Sequence, residues 1–143
     1  MLEVRPLADD ESELVGGTLP LSRLRKPSGE YLIAWEGSDP VGHAHIEWGF
    51  DPPELQDVFV LASRRRRGIA TALTSAAEER VRKRGGAVLA LTVGAGNAAA
   101  QALYRKLGYA RTAEPPRRVQ GTVQLRTGPI AVDDVLLPLE KRL

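Results

Sequence analysis

The chain has 143 residues, 43% hydrophobic and 27% charged, with no cysteine and a formal net charge of +2. That balance fits one soluble globular domain and removes disulfides, thiolate metal centres and cysteine nucleophiles from consideration. Twenty Lys and Arg against 18 Asp and Glu make no polycation, so a basic function must come from a local cluster.

The N-terminal MLEVRPLADDESEL carries acidic residues and no apolar stretch, so it does not read as a signal peptide, and a cytoplasmic location is expected. LEVRPL (2–7) alternates like a half-buried strand. Residues 11–26 read as one or two short helices interrupted near Gly16-Gly17 and Pro20, with Asp9 and Asp10 available as caps, and KPSGE (26–30) is a turn. YLIAWE (31–36), the turn GSDP (37–40) and VGHAHIEWGF (41–50) form an antiparallel hairpin. DPPE (51–54) leads into LQDVFVLA (55–62), whose apolar residues on both faces predict a central strand. Ile69, Leu73, Ala76, Ala77 and Val81 then share one helical face, and Gly85-Gly86 ends that helix.

AVLALTV (87–93) is a buried strand. Asn97 can cap a helix over 98–107, with Ala99, Ala102, Leu103 and Leu107 on one face and Gly108 after it. YARTAE (109–114) starts a strand, PPRR is a loop, VQGTVQLRTGP is a strand with a Thr-Gly-Pro turn, and DVLLPLEKRL (134–143) is the last strand. Pro138 predicts that this last strand is an edge or carries a bulge. The uncharged stretch 85–104 is broken by Gly94, Gly96 and Asn97, so it reads as strand, turn and helix rather than as a membrane span of about 20 strongly apolar residues. The order predicts one α/β domain over 1–143 with a mixed sheet. Strands 55–62 and 87–93, joined by the helix over 69–84, form a right-handed crossover and are therefore parallel neighbours.

The segment RRRRGIATAL (64–73) lies between the end of a central strand and the start of a helix, a place where open α/β sheets bind ligands. The first helical turn has unpaired N–H groups and a positive dipole end. Gly68 has no side chain to block an approaching anion, Ala70 is nearly as small, and the arginines add charge-assisted bonds. The chemistry implied is a cradle for pyrophosphate. A solvated turn or a nucleic-acid patch is the alternative, but no nucleic-acid motif and no aromatic platform accompany the run.

Arg65-Arg66-Arg67-Gly68-Ile69-Ala70 resembles the acyl-CoA signature of the GNAT superfamily of N-acetyltransferases, Arg/Gln-x-x-Gly-x-Gly/Ala. NAAAQALYRKLGY (97–109) is similar to that family's second segment, an asparagine ahead of a helix carrying A-x-x-L-Y-x-x-x-G-F/Y, and LLPLEKRL resembles the closing strand of many members. The resemblance implies a mostly antiparallel twisted sheet with helices on both faces and two splayed parallel central strands. It implies acetyl-CoA as cosubstrate between those strands, with no metal. The diphosphate would rest on the N–H groups of Arg67, Gly68, Ile69 and Ala70, with Arg65 and Arg66 beside it. Pantetheine would pair with Phe59, Val60 and Leu61, and Asn97 would bond its arm or serve as a plain helix cap. Tyr104 falls at the general acid, or is simply a packed helix residue.

In that family reaction an acetyl group passes directly to a primary amine, and the oxyanion would meet the Val60 N–H. Glu54 occupies a position where some members carry a catalytic glutamate, with Asp57 and Glu47 as rivals and an exposed turn residue as the alternative. The acceptor would be a small-molecule or protein amine, with no nucleic acid and no membrane, and a homodimer agrees with family habit. A non-catalytic acyl-CoA-binding module would share every one of these features except the need for an acid. His43, His45 and Glu47 alternate on one strand and so share a face, which fits the acceptor cleft or solvent better than a metal. Trp35 and Trp48 read as core residues.

Overall fold

The computed structural model describes residues 1–24, 28–125 and 128–143. Its elements are β1 (Leu2–Pro6), α1 (Ser12–Thr18), β2 (Gly29–Glu36), β3 (Asp39–Glu47), β4 (Glu54–Val60), α2 (Ile69–Lys83), β5 (Val88–Gly94), α3 (Ala98–Lys106), β6 (Ala110–Arg111), β7 (Arg117–Leu125) and β8 (Gly128–Arg142), with short 3-10 turns at 9–11 and 62–64. The described strands form one sheet in the order β1-β2-β3-β4-β5-β8-β6, and β7 also pairs with β8. Every pairing is antiparallel except β4 with β5.

The period-2 pattern of β2 and β3 splits the core into two layers. Leu32, Ala34, Ala44 and Ile46 face α2, where Ile69, Leu73, Ala77 and Val81 complete the stripe that the sequence predicts. Tyr31, Ile33 and Trp35 face the other way, against Val15, Leu19 and Leu21 in and after α1. Tyr104 and Tyr109, in and just after α3, join the α2 layer, so helices cover both faces. Each fully buried Leu or Val contributes about 1.5–3 kcal/mol, which makes the two stripes the main support of the central strands.

Of the one or two short helices read over 11–26, the structure forms one, α1. Beyond Thr18 the chain meets Pro20, and Leu21 adopts a left-handed φ of 35° with its side chain buried, which no helix continues. Residues 25–27, in the expected turn, lie outside the described residues, as do 126–127, which include Thr127 of the expected Thr-Gly-Pro turn. β8 begins at Gly128 and is neither an edge nor bulged at Pro138. That proline pairs with Thr92 of β5, and on its other side β8 changes partner, pairing with β7 up to Leu136 and with β6 from Leu139. Its missing N–H falls at the junction, and its carbonyl accepts from Thr112 N–H at 3.2 Å.

One buried ionic group ties the C-terminal strand to α2. Glu78 is 6% exposed and accepts from Tyr109 Oη at 2.8 Å and from Lys141 Nζ at 3.1 Å on both oxygens. Burial and this carboxylate together push the Tyr109 phenol above its ordinary range.

Candidate active site

β4 and β5 meet only at one end. Glu54 pairs with Ala90, and the Ala90 N–H bonds the Pro53 carbonyl at 3.0 Å. Beyond that point the two strands run on to Val60 and Gly94 with no pairing between them. The divergence has a local cause in β4. His43 pairs with Phe59 and His45 with Gln56, so Ala44 faces two residues, Asp57 and Val58. This is a β-bulge, and Asp57 stands in it at a left-handed φ of 49°. Aspartate is among the residues that tolerate such a φ.

Three connected cavities follow the divergence. A cleft of about 570 Å³ runs between β4, the start of α2 and the start of α3, lined among others by Phe59, Val60, Gly68, Ala70, Asn97 and Tyr104. A gap of about 300 Å³ lies between the strands, bounded by Glu54, Gln56, Asp57, Thr92, Asn97 and Tyr104. A third cavity of about 620 Å³ includes Glu54 and Thr92 and is walled by Phe50, Glu114 and Arg117. Tyr104 and Asn97 thus stand where cleft joins gap, and Glu54 where gap joins the outer cavity.

The start of α2 is built as the sequence suggests. Gly68 is the N-cap with φ 77°, and a Cβ there would meet nothing within 4 Å. Arg66 is left-handed as well, at φ 64°. The first intrahelical bond runs from Ala72 N–H to Gly68 C=O at 3.0 Å, so the N–H groups of Ile69, Ala70 and Thr71 precede any intrahelical acceptor. They lie in the cleft wall, and donors so arranged at a helix start are able to receive an anion. Two of the four arginines are steered by Glu36: Arg64 bonds it, and Arg67 Nη1 lies 3.8 Å away. Arg65 Nε donates to the Val60 carbonyl at 3.2 Å. Arg64, Arg65 and Arg66 line the cleft, and Arg67 does not.

Along β4, Phe59 and Val60 line the cleft, whereas Leu61 packs against the two core clusters instead. The Leu61 N–H bonds Val41 C=O across to β3 at 2.9 Å, so by strand alternation the Val60 N–H faces the open edge. Asn97 caps α3, with Oδ1 accepting from Ala100 N–H at 3.1 Å, which leaves its amide nitrogen as the donor toward a ligand. Tyr104 is 8% exposed, its ring edge-on to Tyr109 at 5.8 Å. Burial pushes its phenol above the ordinary range, against a smaller opposing effect of a hydrogen bond with Thr74. The hydroxyl therefore stays protonated at neutral pH and is able to donate. Glu54 is half-buried at the doorway, and its Oε1 accepts from Gln56 Nε2 at 3.1 Å.

The expectation for His43 and His45 is revised. They are 0% and 1% exposed and neither faces solvent nor lines the gap. Both rings sit edge-on to Tyr31, at 5.2 and 4.9 Å, in the layer under α1. Glu47 is 5% exposed and does not line the gap either. The alternation correctly put all three on one face, but the burial of that face depends on α1, whose apolar stripe is too short to read. Among the described residues no group of three His, Cys, Asp or Glu is placed to hold a metal ion, and no helix is long and apolar enough to cross a membrane. The cleft residues missing from the predicted site include Val58 on β4, Thr71 in the first turn of α2, and Ala99, Ala100 and Leu103 on α3. Helical spacing alone pointed to Leu103 only as a core residue.

A parallel strand pair that splays beside a glycine-opened helix start is the acyl-CoA-binding arrangement expected from the two motifs. Residues 4–109 match the model of the Acetyltransferase (GNAT) family, and the chain belongs to that family. No curated protein sequence matches it significantly. Among solved structures it is similar to the ribosomal-protein-S18-alanine N-acetyltransferase of Escherichia coli, with 21% identity, 99% of this chain and 94% of that one covered, and a TM-score of 0.76. It is also similar to an acetyltransferase of Bacillus subtilis in complex with CoA, with 19% identity, coverage of 100% and 99%, and a TM-score of 0.75. A GNAT family acetyltransferase of Elizabethkingia anophelis with acetyl-CoA bound gives 17% identity, coverage of 99% and 98%, and a TM-score of 0.71.

Proposed function

We propose that the protein is an N-acetyltransferase that moves the acetyl group of acetyl-CoA directly to a primary amine. The observation that carries this reading is the position of Tyr104, a buried and protonated phenol that stands, with Asn97, where the cleft meets the strand gap. The diphosphate rests on the first turn of α2 at Gly68, Ile69, Ala70 and Thr71, beside Arg65 and Arg66. Pantetheine follows the open edge of β4 past Phe59 and Val60 and meets the Asn97 amide. The thioester then lies in the gap, where the Val60 N–H faces its carbonyl oxygen.

The amine enters from the outer cavity, past Glu54. A neutral nitrogen attacks the carbonyl carbon, a C–N bond forms and the C–S bond breaks. Tyr104 protonates the departing thiolate. A carboxylate of the gap, Glu54 or Asp57, takes the nitrogen's proton, and Glu54 is the one to which the family resemblance points. A lysine-type amine is almost fully protonated at pH 7 and needs such a base more than an α-amino group does.

The test is thiol release from acetyl-CoA with a panel of diamines, amino acids, aminoglycosides and peptides, with mass detection of the acetylated product. Acetylation of one class by the wild type, lost in Tyr104→Phe, supports the reading. A rise in melting temperature with CoA, but no acetylation of any amine, replaces it with a non-catalytic acyl-CoA-binding module.

A further inference from the structure

Asp57 is held by more groups than a bulge residue needs. Its Oδ2 accepts from Tyr31 Oη at 2.6 Å and from Ser22 N–H at 3.1 Å. Its carbonyl is 2.8 Å from His43 Nδ1, and because a carbonyl only accepts, that nitrogen carries the proton. Tyr31 Oη in turn accepts from Arg23 N–H at 2.7 Å, so Tyr31 has a single proton to give and gives it to Asp57. Tyr31 from β2 and Ser22 after α1 hold the carboxylate, and His43 from β3 holds the main chain of the same residue, in the bulge that opens the gap.

The carboxylate is nonetheless reachable. Its side chain is 18% exposed, and the strand gap is the cavity it lines, together with Tyr104, Asn97 and Glu54. Both donors fall on Oδ2, which leaves Oδ1 as the acceptor for an incoming group. Glu54 differs on each point: it stands at the doorway, is held only by the Gln56 amide, and shares the outer cavity.

We propose that Asp57 is the carboxylate that orients the acceptor amine and takes its proton, with Tyr31 as the residue that positions it. This rests on the acetyl-transfer reading. In the step, the nitrogen lone pair attacks the thioester carbon, and the proton shed by nitrogen goes to Asp57 Oδ1 and then to water. The C–S electron pair leaves with sulfur and is protonated by the Tyr104 phenol, which regains its proton from solvent. Glu54 guides the amine through the doorway. The charged and titratable groups that face Asp57 are Tyr31 from β2, His43 and His45 from β3, Arg23 after α1, Glu54 along β4 and Tyr104 from α3.

The experiment measures kcat and KM for the amine and for acetyl-CoA in Asp57→Asn, Tyr31→Phe and Glu54→Gln. CoA-induced stabilisation is the folding control. For Asp57→Asn we expect kcat/KM for the amine to fall by about 100-fold, the usual worth of a general base, with acetyl-CoA binding retained. Tyr31→Phe is expected to lose about tenfold in kcat/KM for the amine, with KM for acetyl-CoA unchanged. A residue that merely packs would not confine its loss to the amine. Glu54→Gln raises KM more than it lowers kcat. The proposal is overturned if Asp57→Asn keeps kcat/KM within about threefold, if Tyr31→Phe loses nothing against the amine, or if Glu54→Gln alone abolishes turnover. If Asp57→Asn does not fold, kcat/KM for the amine in Tyr31→Phe decides. A wild type that binds CoA and acetylates no amine refutes the transfer reading itself.

Discussion

Replacing Tyr104 by Phe removes one oxygen from a ring that is 8% exposed and packed edge-on to Tyr109 at 5.8 Å. The ring stays the same size, so the α2–α3 layer keeps its packing. At most one hydrogen bond goes with the hydroxyl, a net cost of no more than about 1.5 kcal/mol, which lowers the melting temperature by less than roughly 6 °C for a domain of this size. The catalytic cost is larger and separable. A positioned general acid is worth about 10²–10⁴ in rate, or about 3–5 kcal/mol, and all of it is expected in kcat. The assay is thiol release at saturating acetyl-CoA, with CoA affinity measured by calorimetry on the same samples. The pH profile adds a signed check. Burial favours the neutral phenol, so the acid stays in its active form at every pH below its raised value, and the wild type shows no alkaline loss from this group below about pH 10. A Tyr104→Phe enzyme with kcat within about threefold of wild type would refute the assignment.

Asn97→Ala removes a helix cap and should cost about 0.5–2 kcal/mol in chemical denaturation. Asn97→Asp should keep the cap and regain that stability while still showing a raised KM for acetyl-CoA, because the amide donor is gone; equal KM values would contradict the double role. Glu78→Ala leaves Lys141 and the Tyr109 hydroxyl without their acceptor and should cost about 3 kcal/mol in a urea titration, with kcat unchanged because Glu78 lies outside the cleft. Burial holds His45 below its ordinary range, so the folded chain binds fewer protons there than the unfolded one. Stability should therefore be level above about pH 6.5 and fall as the pH drops below it. His45→Gln should flatten that slope, and an unchanged slope would assign the acid sensitivity elsewhere.

The β2–β3 hairpin and the crossover were legible because period-2 runs and one long amphipathic stripe are local signals. The lining of the cleft was legible for the same reason, since Gly68, Ala70 and Asn97 stand within one turn of the helix starts that form its wall. The surroundings of Asp57 were not. It is placed by a bulge that pairs it across β3, and by Tyr31 and Ser22, which lie 26 and 35 residues away. No periodicity encodes such a meeting. The placement of Pro138 failed for a related reason: a proline in a strand signals a missing ladder bond, but not that two partner strands change over at that point.

The account depends most on the coenzyme's diphosphate lying against the start of α2. Calorimetric titration of CoA into wild type and Gly68→Asp tests this directly, with pantetheine, which lacks the diphosphate, as the control. The free protein has room for a Cβ at Gly68, and aspartate tolerates a left-handed φ, so the variant should fold. A carboxylate at that turn should weaken CoA by roughly 30-fold, about 2 kcal/mol, and leave the weak binding of pantetheine unchanged. CoA binding to Gly68→Asp as tightly as to wild type would contradict the account.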